Sequence, residues 1–165
     1  MRLFASQRDW PEYCLQIFGR YAVDHAKSLC KDSLHKTTSH VKNALRFQSK
    51  NKYGLIWSAG LFDYFDDKVF VFMLRKPGTM VAEGDEIVIG NFSPTNPSRT
   101  YMELFEWRLH HRSPPGLKAL EVAAGFAADQ VSVEKEPTGV NLFLHVILSD
   151  FVRRPGRALA TLAKH

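Results

Sequence analysis

Ser58, Ala59 and Gly60 stand between an apolar run, Leu55-Ile56-Trp57, and an acid flanked by aromatics, Phe62-Asp63-Tyr64. Three small residues in a row let a ligand approach the backbone closely, although the same tract also suits a tight strand-to-helix turn. Asp63 is placed either to face such a ligand or to cap a following helix. Three other groups have similar potential. Asp24 could face a ligand, or cap a helix. Asn43 could likewise bond a ligand, or hold a turn. Asn91 follows the apolar run Ile87-Val88-Ile89, with Arg99, Tyr101 and Glu103 beyond it. An arginine there could pair with a substrate carboxylate, and surface solvation competes with that role. His110 and His111 are adjacent, so on a helix they point about 100° apart and share no ligand face; no metal site is expected. Cys14 and Cys30 form neither a disulfide framework nor a zinc motif.

The elements that must position these residues follow from periodicity and punctuation. Asp9–Phe18 reads as a helix, with Asp9 as N-cap, Pro11 in the first turn, Glu12 three residues on and Gly19 as a stop. Arg20–His25 reads as a short strand ending near Asp24, Ala26–Lys36 as a helix, and Thr38–Phe47 as a weak strand with a loop at Lys42-Asn43. Lys52–Gly60 is a strand, consecutively apolar as expected when both faces are covered. Asp66–Gly78 is a helix, capped by Asp66 or Asp67 and stopped by Lys76-Pro77-Gly78. Gly84–Phe92 is the clearest buried strand. Ser93–Ser98 is a loop, while Arg99–His111 and Pro114–Phe126 are helices. Val131–Leu148 is an antiparallel hairpin about Pro137-Thr138-Gly139, with Asn141 bonding its turn. Strands alternating with helices imply an α/β fold with a mostly parallel sheet. Ligands in such sheets bind beyond the carboxyl ends of the strands, which selects Asp24, Asn43, Ser58–Tyr64 and Asn91–Pro97.

A length of 165 residues suits one core: a single domain over 1–148 with a basic tail, 149–165. A 24% share of charged residues lies near the globular average and excludes global disorder. No apolar run approaches the ~20 residues that span a bilayer, and no secretory leader is evident; a cytoplasmic, reduced protein is the default expectation. Residues 1–52 carry ten Lys/Arg against four Asp/Glu, whereas the remainder is nearly balanced. The basic charges are scattered without aromatic interleaving, so a solvated face is expected and nucleic acid is not.

Three tracts, LIWSAGLFDYFDD, EIVIGNFSPTNPSRTYMELFEWRLHHR and VSVEKEPTGVNLFLHV, resemble class I S-adenosylmethionine-dependent methyltransferases. More narrowly they are similar to the bacterial extracellular-factor type, linked to methyl esters of 3-hydroxy fatty acids. The resemblance covers roughly Thr38 to Val146. It implies a seven-stranded Rossmann-like sheet with a reversed last strand and S-adenosylmethionine as cofactor. It further places Asp24 at the ribose hydroxyls and Asn43-Ala44 near the adenine. Ser58, Ala59 and Gly60 fall at the methionine end, with Asp63 at the ammonium or the acceptor pocket. Asn91, Arg99, Tyr101 and Glu103 fall on the acceptor side.

The sequence departs from that family at its start. The family opens with a strand and a glycine-rich turn, whereas Gly19 is the sole glycine here before Gly54. The first strand is therefore expected to be missing or replaced, and the domain N-terminally truncated. The implied activity is methyl transfer to a carboxylate of a fatty-acid-like small molecule. The alternative is a non-catalytic or cofactor-binding-deficient fragment or interaction module. A nucleic-acid-binding domain is a third reading, resting only on the basic ends.

Overall fold

A computed structural model describes residues 2–7, 10–17, 20–29, 31–32, 37–41 and 43–148. The tail 149–165, along with Gly19 and Lys42, lies outside the described residues.

Seven strands form one sheet: β1 (Arg2–Gln7), β2 (Trp10–Ile17), β3 (Thr37–His40), β4 (Tyr53–Ala59), β5 (Val81–Phe92), β6 (Val131–Lys135) and β7 (Asn141–Ile147). Among the described residues four α-helices accompany them: α1 (Arg20–Leu29), α2 (Asp67–Met80), α3 (Arg99–Leu104) and α4 (Pro114–Ala124). The strand order across the sheet is β3-β2-β1-β4-β5-β7-β6. The α/β class and the C-terminal antiparallel hairpin agree with expectation. β2 runs parallel to β3, and β4 parallel to β5, each pair joined through a helix.

The central position between β2 and β4 is filled, by a strand of reversed direction. β1 pairs antiparallel with both neighbours. Its amino end therefore lies at the edge where β2 and β4 end, with Arg2 opposite Ile17 and Ala59. In the expected fold the first strand runs the other way and turns at that edge. Here the first strand is replaced rather than absent.

The N-terminal third corrects three sequence expectations. Trp10–Ile17 is strand β2, not a helix. Hydrogen bonds to β1 and β3 on its two sides outweigh the capping signals at Asp9 and Glu12. Pro11, which lacks an N–H, falls at the register shift between Ser6 and Gln7, where the ladder is already interrupted. Arg20–Leu29 is helix α1, not a strand followed by a helix. Asp24 consequently sits exposed on α1 and not beyond a strand end.

One core packs α2 and α4 against one sheet face. Ile56, Ile87, Ile89, Leu142, Leu144 and Val146 are fully buried on that face. Phe70, Leu74, Pro77 and Leu117 meet them from the helices, at the i, i+3/i+4 spacing of an apolar stripe. Asp66 caps α2 by accepting a hydrogen bond from the Val69 N–H at 2.9 Å. The helix does not stop at Lys76-Pro77-Gly78 as expected; it runs on to Met80, and Val81 N–H closes onto the Pro77 carbonyl. α3 is also shorter than expected, six residues in place of thirteen. Glu106 takes a left-handed φ of 58°, and Trp107 N–H turns back to the Met102 carbonyl at 2.9 Å. The chain from Trp107 to Ser113 then runs without helix across the end of β5. No helix among the described residues is long and apolar enough to cross a membrane.

Candidate functional site

The carboxyl ends of β4 and β5 build the site. Ser58 faces the helical side, fully buried, and its hydroxyl has no hydrogen-bond partner among the described residues. Gly60 adopts φ +73°, and no heavy atom lies within 4 Å of where a Cβ would stand. The turn is therefore strained for other residues but open above. Gly60→Ala is expected to cost about 1–2 kcal/mol, the left-handed backbone penalty alone, because no side chain is displaced. Urea unfolding of the two proteins checks this.

Beyond the turn, Leu61 and Phe62 enter the core, with Phe62 edge-on to Phe70 at 4.9 Å. Asp63 is 2% exposed and points inward. Its carboxylate accepts the Phe92 N–H at 2.7 Å, and its carbonyl accepts the His110 N–H at 2.7 Å. Burial pushes its pKa up to about 6, opposed by the Phe92 N–H and the Arg112 charge, so it is ionised at neutral pH. The capping role that competed for Asp63 belongs to Asp66.

Asn91 is equally buried, at 1% exposure. Its amide donates to the carbonyls of His110 at 2.9 Å and Phe92 at 3.0 Å, and its oxygen accepts from Arg112 Nη1 at 2.9 Å. Arg112 is the residue that the sequence did not single out. Its guanidinium bonds Asp67, Phe62 and Phe65 as well as Asn91, tying the turn after β4 to the end of β5. Arg112 lies between two runs read as helices, Arg99–His111 and Pro114–Phe126, where a single arginine carries no local signal for such a role.

The remaining expected site residues lie apart. Asn43 caps the short turn Ala44–Arg46 by accepting the Leu45 N–H at 2.9 Å, and Ala44 packs on the core. Arg99 pairs with Glu103 at 2.8 Å on α3, both half-exposed; this hydrogen bond holds the Glu103 carboxyl below its usual range. Tyr101 is 66% exposed and rests on Phe105, with ring centroids 4.8 Å apart. Trp107 Nε1 donates to the Tyr64 hydroxyl at 2.8 Å, so Tyr64, Tyr101, Leu104, Phe105 and Trp107 form an exposed apolar rim beside the site. His111 accepts at Nε2 from the Asn96 amide and donates from Nδ1 to the Leu109 carbonyl. Burial lowers its pKa, which fits that neutral ring. The hairpin turn is bonded by Glu136, not by the Asn141 side chain. The Glu136 carboxylate accepts from the Thr138 hydroxyl and from the Thr138, Val140 and Asn141 N–H groups, which together, the hydroxyl foremost, draw its pKa down to about 2. Among the described residues no group of three or more His, Cys, Asp or Glu side chains could hold a metal ion.

No family model and no curated protein matches the chain. Solved structures do match in fold. A possible exported protein from Bordetella parapertussis superposes with a TM-score of 0.69 at 17% identity, over 82% of this chain and 53% of that one. An O-methyltransferase family protein from Burkholderia thailandensis gives 0.64 at 16%, over 82% and 44%. The O-methyltransferase NcsB1 of neocarzinostatin biosynthesis, in complex with S-adenosyl-L-homocysteine and 1,4-dihydroxy-2-naphthoic acid, gives 0.61 at 15%, over 82% and 42%. The chain thus has the fold of S-adenosylmethionine-dependent methyltransferases, and spans about half the length of these structures.

Proposed function

We propose that this chain carries an S-adenosylmethionine-dependent methyl-transfer site, with a carboxylate of a fatty-acid-like small molecule as acceptor. The observation that carries the reading is the open, left-handed turn at Gly60 beyond β4, at the carboxyl edge of a sheet with this strand order. The residues at β4 fit the cofactor. Ser58 has an orphaned buried hydroxyl, and the absence of a Cβ at Gly60 leaves the backbone open to a ligand. Ser58, Ala59 and Gly60 would hold it there. S-adenosylmethionine supplies an electrophilic methyl group when bound. A carboxylate acceptor is already ionised near neutral pH, so the chain's own task is alignment and not proton removal. Asp63, Asn91 and Arg112 serve it by fixing the turn against β5. The apolar rim of Tyr64, Tyr101, Phe105 and Trp107 suits an acceptor with an apolar body, and Arg99 stands beside it for a carboxylate. Cytoplasmic location belongs to the same reading.

A second reading, a non-catalytic module, is favoured by reversed β1. Among the described residues β1 begins at the carboxyl edge instead of ending there, and Asp24 is on α1. Calorimetric titration with S-adenosylmethionine separates the two. Micromolar binding, weakened by Gly60→Val, is the expected result. No heat at millimolar cofactor would overturn the methyl-transfer reading and leave the module.

A further inference from the structure

The opposite edge of the sheet carries a second, unrelated cavity. α2 descends from the site to the amino end of β5, so its last turns lie beside the segment 47–52 that leads into β4. Between them is an open groove of about 450 Å³. This is within the size range of small-molecule sites. Its floor is Phe47, Phe72 and Met80, and Arg75, Lys76 and Ser49 are among its polar lining.

Its charge is one-sided. Arg75 and Lys76 line it, and Arg46, Lys50 and Lys52 are exposed in the adjoining segment. The sequence holds no Asp or Glu between Asp32 and Asp63, and none between Asp67 and Glu83. The cations are also held in place. Arg75 donates from Nε and Nη2 to the carbonyls of Ala124 and Ala123, Lys76 to Leu45, and Lys52 to Thr79. Among the described residues these bonds leave Arg75 Nη1 and the other ammonium protons for a ligand. Phe72 is 54% exposed with the Lys76 ammonium 5.1 Å from its ring centroid, so an aromatic face stands next to the positive charge.

Volume decides which anion fits. Next to the groove, sharing Phe47, Lys76 and Met80, lies an apolar cavity of about 20 Å³. That is room for roughly one water, which needs about 10–15 Å³. An acyl chain has nowhere to run, whereas a flat ring can lie on Phe72. We infer that this groove binds a phosphorylated aromatic of mononucleotide size, with its ring on Phe72 and its phosphate on Arg75 and the neighbouring lysines. Positively charged S-adenosylmethionine is disfavoured by the same cations, so the groove is independent of the proposed methyl-transfer site.

The test is a titration of the ¹⁵N-labelled full chain with adenosine 5′-monophosphate, followed by amide shifts. Saturable shifts at residues 47–49 and 72–80 are expected. Binding should weaken on the order of tenfold in Phe72→Ala, the loss of one stacking contact. Adenosine, lacking the phosphate, should bind at least about tenfold more weakly, and added salt should weaken the nucleotide. Shifts confined to residues 58–63, or no saturation at about 10 mM, would overturn the inference. So would inorganic phosphate binding as tightly as the nucleotide, or an unchanged affinity in Phe72→Ala. Phe72 is exposed, so its removal leaves the fold intact as a control.

Discussion

Arg112→Ala is expected to lower the unfolding free energy by about 3–5 kcal/mol, the range for breaking a buried, hydrogen-bonded charge. The side chain is 6% exposed, and all five of its N–H groups have acceptors. Nε and one Nη2 N–H go to Asp67 at 3.1 and 2.9 Å, and the other Nη2 N–H goes to the Phe65 carbonyl at 2.6 Å. Nη1 serves the Phe62 carbonyl at 3.3 Å and the Asn91 amide oxygen at 2.9 Å. The ion pair with Asp67 is not the main contribution, because that carboxylate is 71% exposed and such pairs add little. The loss comes from acceptors left without donors against the core, at about 1–3 kcal/mol each and less than additive. The guanidinium also stacks on Phe70 at 4.6 Å, a contact that alanine removes as well. Lysine cannot reproduce a five-donor fork, so Arg112→Lys should recover less than half of the loss. Urea unfolding followed by circular dichroism reads all three proteins. A loss below about 1 kcal/mol, the worth of an ordinary net hydrogen bond, would mean that water replaces these contacts and that the clamp is not structural.

That clamp shows where sequence reading stops. The strand ends that carry the site were legible because their signals are local. Leu55-Ile56-Trp57 and Ile87-Val88-Ile89 read as strands, and they became β4 and β5, although Trp57 is 40% exposed and β4 is not covered on both faces as expected. Asp66 read as a cap, and it caps α2. The clamp has no local signal: Arg112 meets Phe62, Phe65, Asp67 and Asn91 only after β4, α2 and β5 are in place. The same cause shortened α3. Arg99–His111 has helical periodicity, yet the Trp107–Tyr64 bond, the His110–Asp63 bond and the Arg112 contacts hold residues 107–112 against β5. Tertiary contacts override propensity there. At the N-terminus the misleading signal was itself local. Asp9, Pro11 and Glu12 imitate a helix start, but the segment gains its backbone hydrogen bonds between β1 and β3. Placing Asp24 after a strand failed with it.

Glu121→Gln is expected to stabilise the protein in a pH-dependent way. Glu121 sits on α4 between Leu117 and Ala124, at the i−4 and i+3 positions, in the stripe that faces the core. It is fully buried, and neither carboxylate oxygen has a partner among the described residues. Burial raises its pKa from 4.5 to about 8, with Lys118 drawing it back only partly. The folded chain therefore holds a proton that the unfolded chain gives up near pH 4.5. Below pH 4.5 both states are protonated and no ionisation penalty arises. As pH rises from 4.5 to about 8, stability falls by up to ~1.4 kcal/mol per pH unit, which bounds the loss at about 5 kcal/mol. Water reaching the carboxylate reduces this, so roughly 2–4 kcal/mol is expected. Glutamine carries a similar uncharged polar group and does not ionise. The gap between variant and parent should be near zero at pH 4.5 and largest above pH 8. Asp63, also raised, titrates with the same sign, but it is present in both proteins and cancels in the difference. Thermal unfolding of the pair across this pH range gives the answer, and a gap that does not change with pH would show that Glu121 reaches solvent in the folded state.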